Sequence, residues 1–209
     1  MGNADFRAEL NELRKALTTE PTAELLQQAL DCCVNIAEQS LQEQRCCWQN
    51  ASLAREAMGY ARQLMEHKDM LSVVESSLDD MVEAINEHPR LKLELMLLRL
   101  QVLQMLNKPQ IELEADIAFY RSNIAAADSG KLEDVKQITM LKHDPVEWTA
   151  RWEEVVDEAD KIVEARLVDH PRGMGYCHAY WPERAEVLMS KFGVEWRSPA
   201  RMNPRVIFD

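Results

Sequence analysis

The ten residues Arg172–Trp181, "RGMGYCHAYW", place a cysteine beside a histidine among three aromatic rings and two glycines. A cysteine near a helix N-terminus is a candidate nucleophile, because its thiolate is stabilised there. Cys177 and His178 are also soft and borderline metal ligands. A zinc site needs two more ligands, with His170, His143 or a distant cysteine as candidates. The spacing His170-x6-Cys177-His178 fits no zinc pattern. A catalytic Cys–His pair needs facing side chains, and adjacent residues diverge. The structural alternative puts Cys177, Trp181, Leu188 and Phe192 on one face of a terminal helix packed on the body, and we prefer it.

Beyond this stretch the tail interleaves aromatic and basic residues. Arg172, Tyr176, Tyr180, Trp181, Trp196, Arg197, Arg201 and Arg205 are types that stack on bases and grip phosphates. Charge argues against that use. The chain carries −12 overall. Residues 170–209 hold six Lys/Arg against four Asp/Glu, which leaves −14 on the rest. Such a field opposes contact with nucleic acid or anionic lipid. Docking of the tail onto acids such as those of residues 146–167 is the simpler use of these arginines.

Four of the five cysteines form adjacent pairs, Cys32-Cys33 and Cys46-Cys47. A disulfide between neighbours is strained, and helical neighbours point about 100° apart. Reduced thiols in a cytoplasmic protein are therefore expected. A four-sulfur site would need both pairs together, but a hairpin separates them by more than about 10 Å. One cysteine of each pair is expected in the core. A di-iron bundle needs a carboxylate three residues before a histidine. Those positions hold Leu64, Ile85, Met140, Leu167 and Gly175, so that chemistry is excluded. No glycine-rich phosphate loop, Gly-x-Ser-x-Gly or His-Glu-x-x-His occurs. The acidic clusters are read as solvated faces. No cofactor or metal is expected.

The elements that would position these residues are helical. The 209 residues are 46% hydrophobic and 29% charged, with few glycines and prolines, a globular composition that favours helix. The N-terminus "MGNADFRAEL" has no apolar leader, and Phe6 stands where a myristoylation motif wants Ser or Thr. No run is apolar and long enough to span a membrane. Thr22 is a candidate N-cap. Between Pro21 and Pro89, three- and four-residue steps run from Leu26 to Met65 through a polar patch at 38–45. This reads as a hairpin turning near 42–46, or as one helix of about 45 residues. Residues 68–88 form another helix. Residues 90–107 are apolar nearly all round and predict the most buried helix. A helix from Pro109 ends before Asp128, and 131–143 is a short helix or irregular connection.

Asp144-Pro145-Val146-Glu147 predicts a capped start for a helix whose stripe runs from Trp148 to Leu167. Half of the glycines and prolines lie in 170–209. One helix is expected there, starting within 176–182 and ending at Phe192 with Gly193 as a left-handed cap. Ser198-Pro199 suggests a single capped turn, Asn203-Pro204 a turn, and "RVIFD" an extended end. No period-two pattern recurs. We expect an all-α fold: an antiparallel helical bundle or short α-solenoid over 1–169, with a Pro/Gly-rich C-terminal module at 170–209. The tetratricopeptide pattern fails: Ala84 and Pro89 have its spacing, but the upstream positions differ and nothing recurs 34 residues on.

The functional expectation is a non-enzymatic protein–protein interaction, as an adaptor or regulator binding another protein or itself. The alternatives are a Cys/His ligand- or metal-binding protein or enzyme centred on 172–181, and nucleic-acid binding through the tail. The candidate binding patch is Arg172, Tyr176, Cys177, His178, Tyr180, Trp181, Trp196, Arg197 and Arg201.

Overall fold

A computed structural model describes residues 2–137 and 140–208. Among them there is no strand. The α-helices are α1 (Asn3–Thr19), α2 (Ala23–Glu43), α3 (Asn50–Leu64), α4 (Leu71–Ala84), α5 (Pro89–Met105), α6 (Ile111–Asp128), α7 (Ala150–Arg166), α8 (Tyr176–Phe192) and α9 (Pro199–Met202). The fold is an all-α helical bundle. No helix among the described residues is long and apolar enough to cross a membrane. The chain divides into two compact units. One comprises Met1–Asn86 and Leu91–Ala118; the other comprises Glu87–Arg90 and Phe119–Asp209.

In the first unit α2 packs against α1, α3 and α4. Its N-cap is Thr22, whose hydroxyl accepts from the Leu25 amide at 3.3 Å. Residues 22–66 form a hairpin. α2 stops because Gln44 and Cys46 turn left-handed, with φ of 50° and 56°. The Arg45 amide then closes on the Ser40 carbonyl at 3.0 Å. A left-handed non-glycine residue costs roughly 1–2 kcal/mol, offset here by packing α3 alanines against α2. Ala51, Ala54, Ala57 and Ala61 are all buried, so the two backbones approach closely. Asn50 at the start of α3 is buried and donates to the carbonyls of Ala37 (3.1 Å) and Ala84 (3.3 Å), fixing the ends of α2 and α4.

Two expectations need correction in this unit. Helix 90–107 is not the most buried: α5 buries seven of its 17 residues, whereas α3 buries eight of 15. Small residues enclose a helix more completely than leucines spread over every face. The cysteine pairs do not each contribute one core residue. Cys32 and Cys33 are both buried, and Cys46 and Cys47 are both half-buried. A helix enclosed on three sides buries neighbours alike, and a turn buries neither.

In the second unit the Asp144 signature starts a 3-10 turn, Pro145–Trp148, and not the long helix. Thr149 is the true cap: it is extended, and its hydroxyl accepts from the Trp152 amide at 3.2 Å. The polar Thr149 interrupts the stripe where the chain changes direction. α7 and α8 pack together around Trp152, Val155, Val156, Ala159, Val163, Val187 and Leu188, joined by Val194 and Trp196. α8 ends as expected. Gly193 is left-handed (φ 66°), and the Val194 amide reaches back to the Leu188 carbonyl at 3.1 Å. The Ser198 hydroxyl caps α9, accepting from the Arg201 amide, and Asn203–Arg205 turns. In the 131–143 connection, Leu132–Asp134 forms a 3-10 turn. Asn123 exchanges two 2.9 Å hydrogen bonds with the Lys136 backbone. Ile138 and Thr139, and Asp209 of the extended end, lie outside the described residues.

Candidate functional site

The stretch 172–181 forms the entry to α8. Gly175 takes φ 81° at the N-cap, a conformation that side chains resist. The next residue, Tyr176, thereby turns inward and is buried. Its ring meets Tyr180 one helical turn on, at 5.6 Å between centroids, and His170 at 6.1 Å. The Arg172 guanidinium lies 4.7 Å over the Tyr176 ring and is also 3.3 Å from the Glu164 carboxylate of α7. Cys177 is half-buried and His178 exposed. The His178 Nε2 is 2.9 Å from the Phe208 carbonyl, and Trp181 meets the Phe208 ring edge-on at 5.1 Å. Phe208 is thus held on the first two turns of α8.

Arg184 lies one turn further along α8 and meets several partners at once. It is buried, with its Nε 2.7 Å from Asp160 Oδ1 and its Nη2 3.0 Å from a Glu87 oxygen. Its guanidinium lies 5.0 Å from the rings of Trp152 and Trp196 and 5.9 Å from Tyr180. Rings and carboxylates together make such burial tolerable. Burial pushes the Asp160 carboxyl up to about 6, with Glu87 adding to the shift and Arg184 opposing it. Burial also pushes the Tyr180 hydroxyl up. It works against the Arg184 charge too, but Asp160 and Glu87 hold that charge firmly in place.

Around this centre, the Trp152 indole donates to the Glu87 carbonyl at 2.9 Å and the Trp196 indole to Glu147 at 2.7 Å. Arg197 grips Asp144 with its backbone amide (2.7 Å) and guanidinium (3.0 Å). His88 is buried, with Nε2 2.8 Å from Asp157.

Of the nine patch residues, Arg172, Tyr176 and Tyr180 come together at the head of α8. His178 and Trp181 hold the tail. Trp196 lies in the core, and Arg197 is engaged with Asp144, the residue that caps the 3-10 turn. Arg201 is exposed on α9. The centre that sequence reasoning missed is Arg184 with Asp160 and Glu87. Its signal was an arginine between Tyr180 and Leu188, in the middle of an apolar stripe, where a lone charge has no business without a buried partner.

Chemically, the cluster binds itself. Each guanidinium of 172, 184 and 197 faces a carboxylate of the same unit. Among the described residues, no three His, Cys, Asp or Glu side chains are placed to hold a metal ion. The fold and its side chains define a helical protein stabilised by a buried Arg–aromatic centre. No family model, curated protein or solved structure matches the chain.

Proposed function

We propose that this chain is a non-enzymatic protein-binding protein, and that the segments meeting at the head of α8 form its contact surface. One observation carries the reading. Val168, Met174 and Ile207 are 71%, 91% and 89% exposed, although each is a large hydrophobic residue. Val168 and Met174 lie on the α7–α8 loop. Ile207 adjoins Phe208, whose ring and carbonyl rest on Trp181 and His178. Apolar side chains presented from neighbouring segments over a rigid aromatic base favour a partner that buries them. The self-pairing of Arg172 and Arg197 supports a protein partner over nucleic acid, because phosphate contacts need free guanidinium groups.

The test places a photo-crosslinking residue at position 174 in cells, with position 158 on the exposed face of α7 as control. A discrete adduct at 174, absent at 158, identifies the partner. The purified partner should then bind wild type and lose about tenfold or more in affinity for Met174→Glu or Ile207→Glu. Identical crosslinking at 174 and 158, or equal affinity for all three proteins, overturns the reading.

A further inference from the structure

We propose that a cleft between α1, α2 and α3 is a binding site for a short aliphatic monocarboxylate, with Arg7 as its anion-binding group. The cleft has a volume of about 160 Å³ and is lined by Arg7, Leu10, Asn11, Arg14, Ile36 and Leu53. Its floor and rim differ in chemistry. Leu10, Ile36 and Leu53 are buried and offer no polar side-chain atom. Arg7, Asn11 and Arg14 follow four- and three-residue steps along one face of α1 and supply the polar groups. Small-molecule sites are built this way: concave, mainly apolar, with a few placed polar groups.

The charge of Arg7 is the second observation. Its side chain is half-buried, with Nε donating to Asn3 Oδ1 at 2.8 Å and Nη1 donating to Gln49 Oε1. Both acceptors are neutral amides, and among the described residues no carboxylate pairs with it. Arg90, Arg99, Arg172 and Arg184 are likewise half-buried or buried, and each has a carboxylate partner. In a chain of net charge −12, Arg7 is therefore out of pattern. The two amides hold its guanidinium in place without neutralising it, which is the preorganisation an anion site needs. Arg14 differs. It closes on Glu56 through Nε (2.8 Å) and Nη2 (2.6 Å) and so adds no net charge. Its Nη1 donates to Asn11 Oδ1 at 2.8 Å. That bond fixes the Asn11 carboxamide with its oxygen toward Arg14 and leaves its NH2 as a donor.

These features select the ligand. One unneutralised guanidinium calls for a monoanion. A planar carboxylate can accept from Arg7 and from the Asn11 NH2. Phosphate is disfavoured, because its remaining oxygens would face a floor with no donor. The same floor takes an alkyl chain. Cavities of roughly 150 Å³ admit about six non-hydrogen atoms, which is the size of butyrate. A peptide's terminal residue with its backbone exceeds that size, so the fit is to a free acid.

The test titrates the 15N-labelled full-length protein with sodium butyrate and follows the NMR signals. We expect saturable shifts centred on the Arg7 Nε–H and the Asn11 carboxamide, half complete near about 1 mM, a range open to so small a ligand. Butyramide, of the same size but uncharged, should bind about tenfold more weakly or worse. Acetate, two methylenes shorter, should bind about fifteenfold more weakly. Inorganic phosphate should leave these signals in place. Arg7→Gln should lose about tenfold or more in butyrate affinity, with unchanged circular dichroism. Absence of saturable shifts with butyrate up to about 50 mM overturns the proposal. Equal binding of butyramide or acetate, stronger binding of phosphate, or undiminished binding by a folded Arg7→Gln does so too. The wild-type comparisons decide by themselves should that variant not fold. Every outcome leaves the contact surface at α8 untouched, since the cleft belongs to the other unit.

Discussion

Replacing Arg184 with methionine tests the buried centre of the second unit. Methionine keeps most of the side chain's apolar volume but removes the guanidinium. Asp160, whose side chain is 11% exposed, is then left without its 2.7 Å partner. Glu87 is 40% exposed and can be hydrated, so the cost falls on Asp160. Breaking a buried pair in this way costs about 3–5 kcal/mol. The stranded carboxylate can reduce that cost by taking a proton. Asp160 already stands at about 6 beside Arg184, so moving it to neutrality adds about one unit, about 1.4 kcal/mol at pH 7, which sets the lower bound. For a chain of this length a loss between these bounds lowers Tm by roughly 3–20 °C.

The route also fixes a sign. A folded-state pKa above the unfolded value means stability is lost as pH rises through the folded pKa, so the Arg184→Met penalty should shrink between pH 7.5 and pH 5. Asp160→Asn in the Arg184→Met background should recover about 1–3 kcal/mol, because it removes the stranded charge. Urea unfolding in a Trp48→Phe background measures this directly, since the other four tryptophans all lie in the second unit. A penalty below about 1 kcal/mol, or one equal at pH 5 and pH 7.5, refutes the argument.

Two further outcomes follow from local geometry. Gly193→Ala should cost about 1 kcal/mol, because position 193 is left-handed (φ 66°) and an added Cβ meets nothing within 4 Å, so the loss is conformational alone; thermal unfolding reads it, and a neutral substitution would contradict the cap assignment. The His143 imidazole should titrate above its ordinary 6.5, because it hydrogen-bonds Glu147. Its stabilisation is present below 6.5 and fades as pH rises through the higher folded value; NMR titration should show the midpoint falling in Glu147→Gln.

Much of the fold was legible because its boundaries use residues with one physical job. Thr22, Gly193 and Ser198-Pro199 cap where a side-chain acceptor, an achiral residue or a missing N–H is required, and the structure uses each that way. The α2–α3 turn was only half legible because Gln44 and Cys46 adopt left-handed backbone that neither residue type advertises. Thr149 was overlooked because Asp144-Pro145 five residues earlier is the stronger local signature. It does cap, but only a 3-10 turn. At the candidate site, the aromatic ladder of Tyr176 and Tyr180 follows from helical spacing. Arg184 does not, because its partners Glu87 and Asp160 lie 97 and 24 residues away and only tertiary structure unites them.

The tail's charge illustrates why residue type alone misleads about function. Six basic residues in 170–209 look like a phosphate-binding surface when counted along the chain. In space, Arg184 is the centre of a core, Arg172 lies between Glu164 and the Tyr176 ring, and Arg197 closes on Asp144. Each neutralises an acid of its own unit. The same pairings tie α7 to α8 and the Arg197 segment to Asp144. On the proposed reading, Met174 and Ile207, 91% and 89% exposed, are the groups whose burial a partner would reward. A support whose charges are already paired would then favour recognition through those apolar groups over long-range electrostatic attraction.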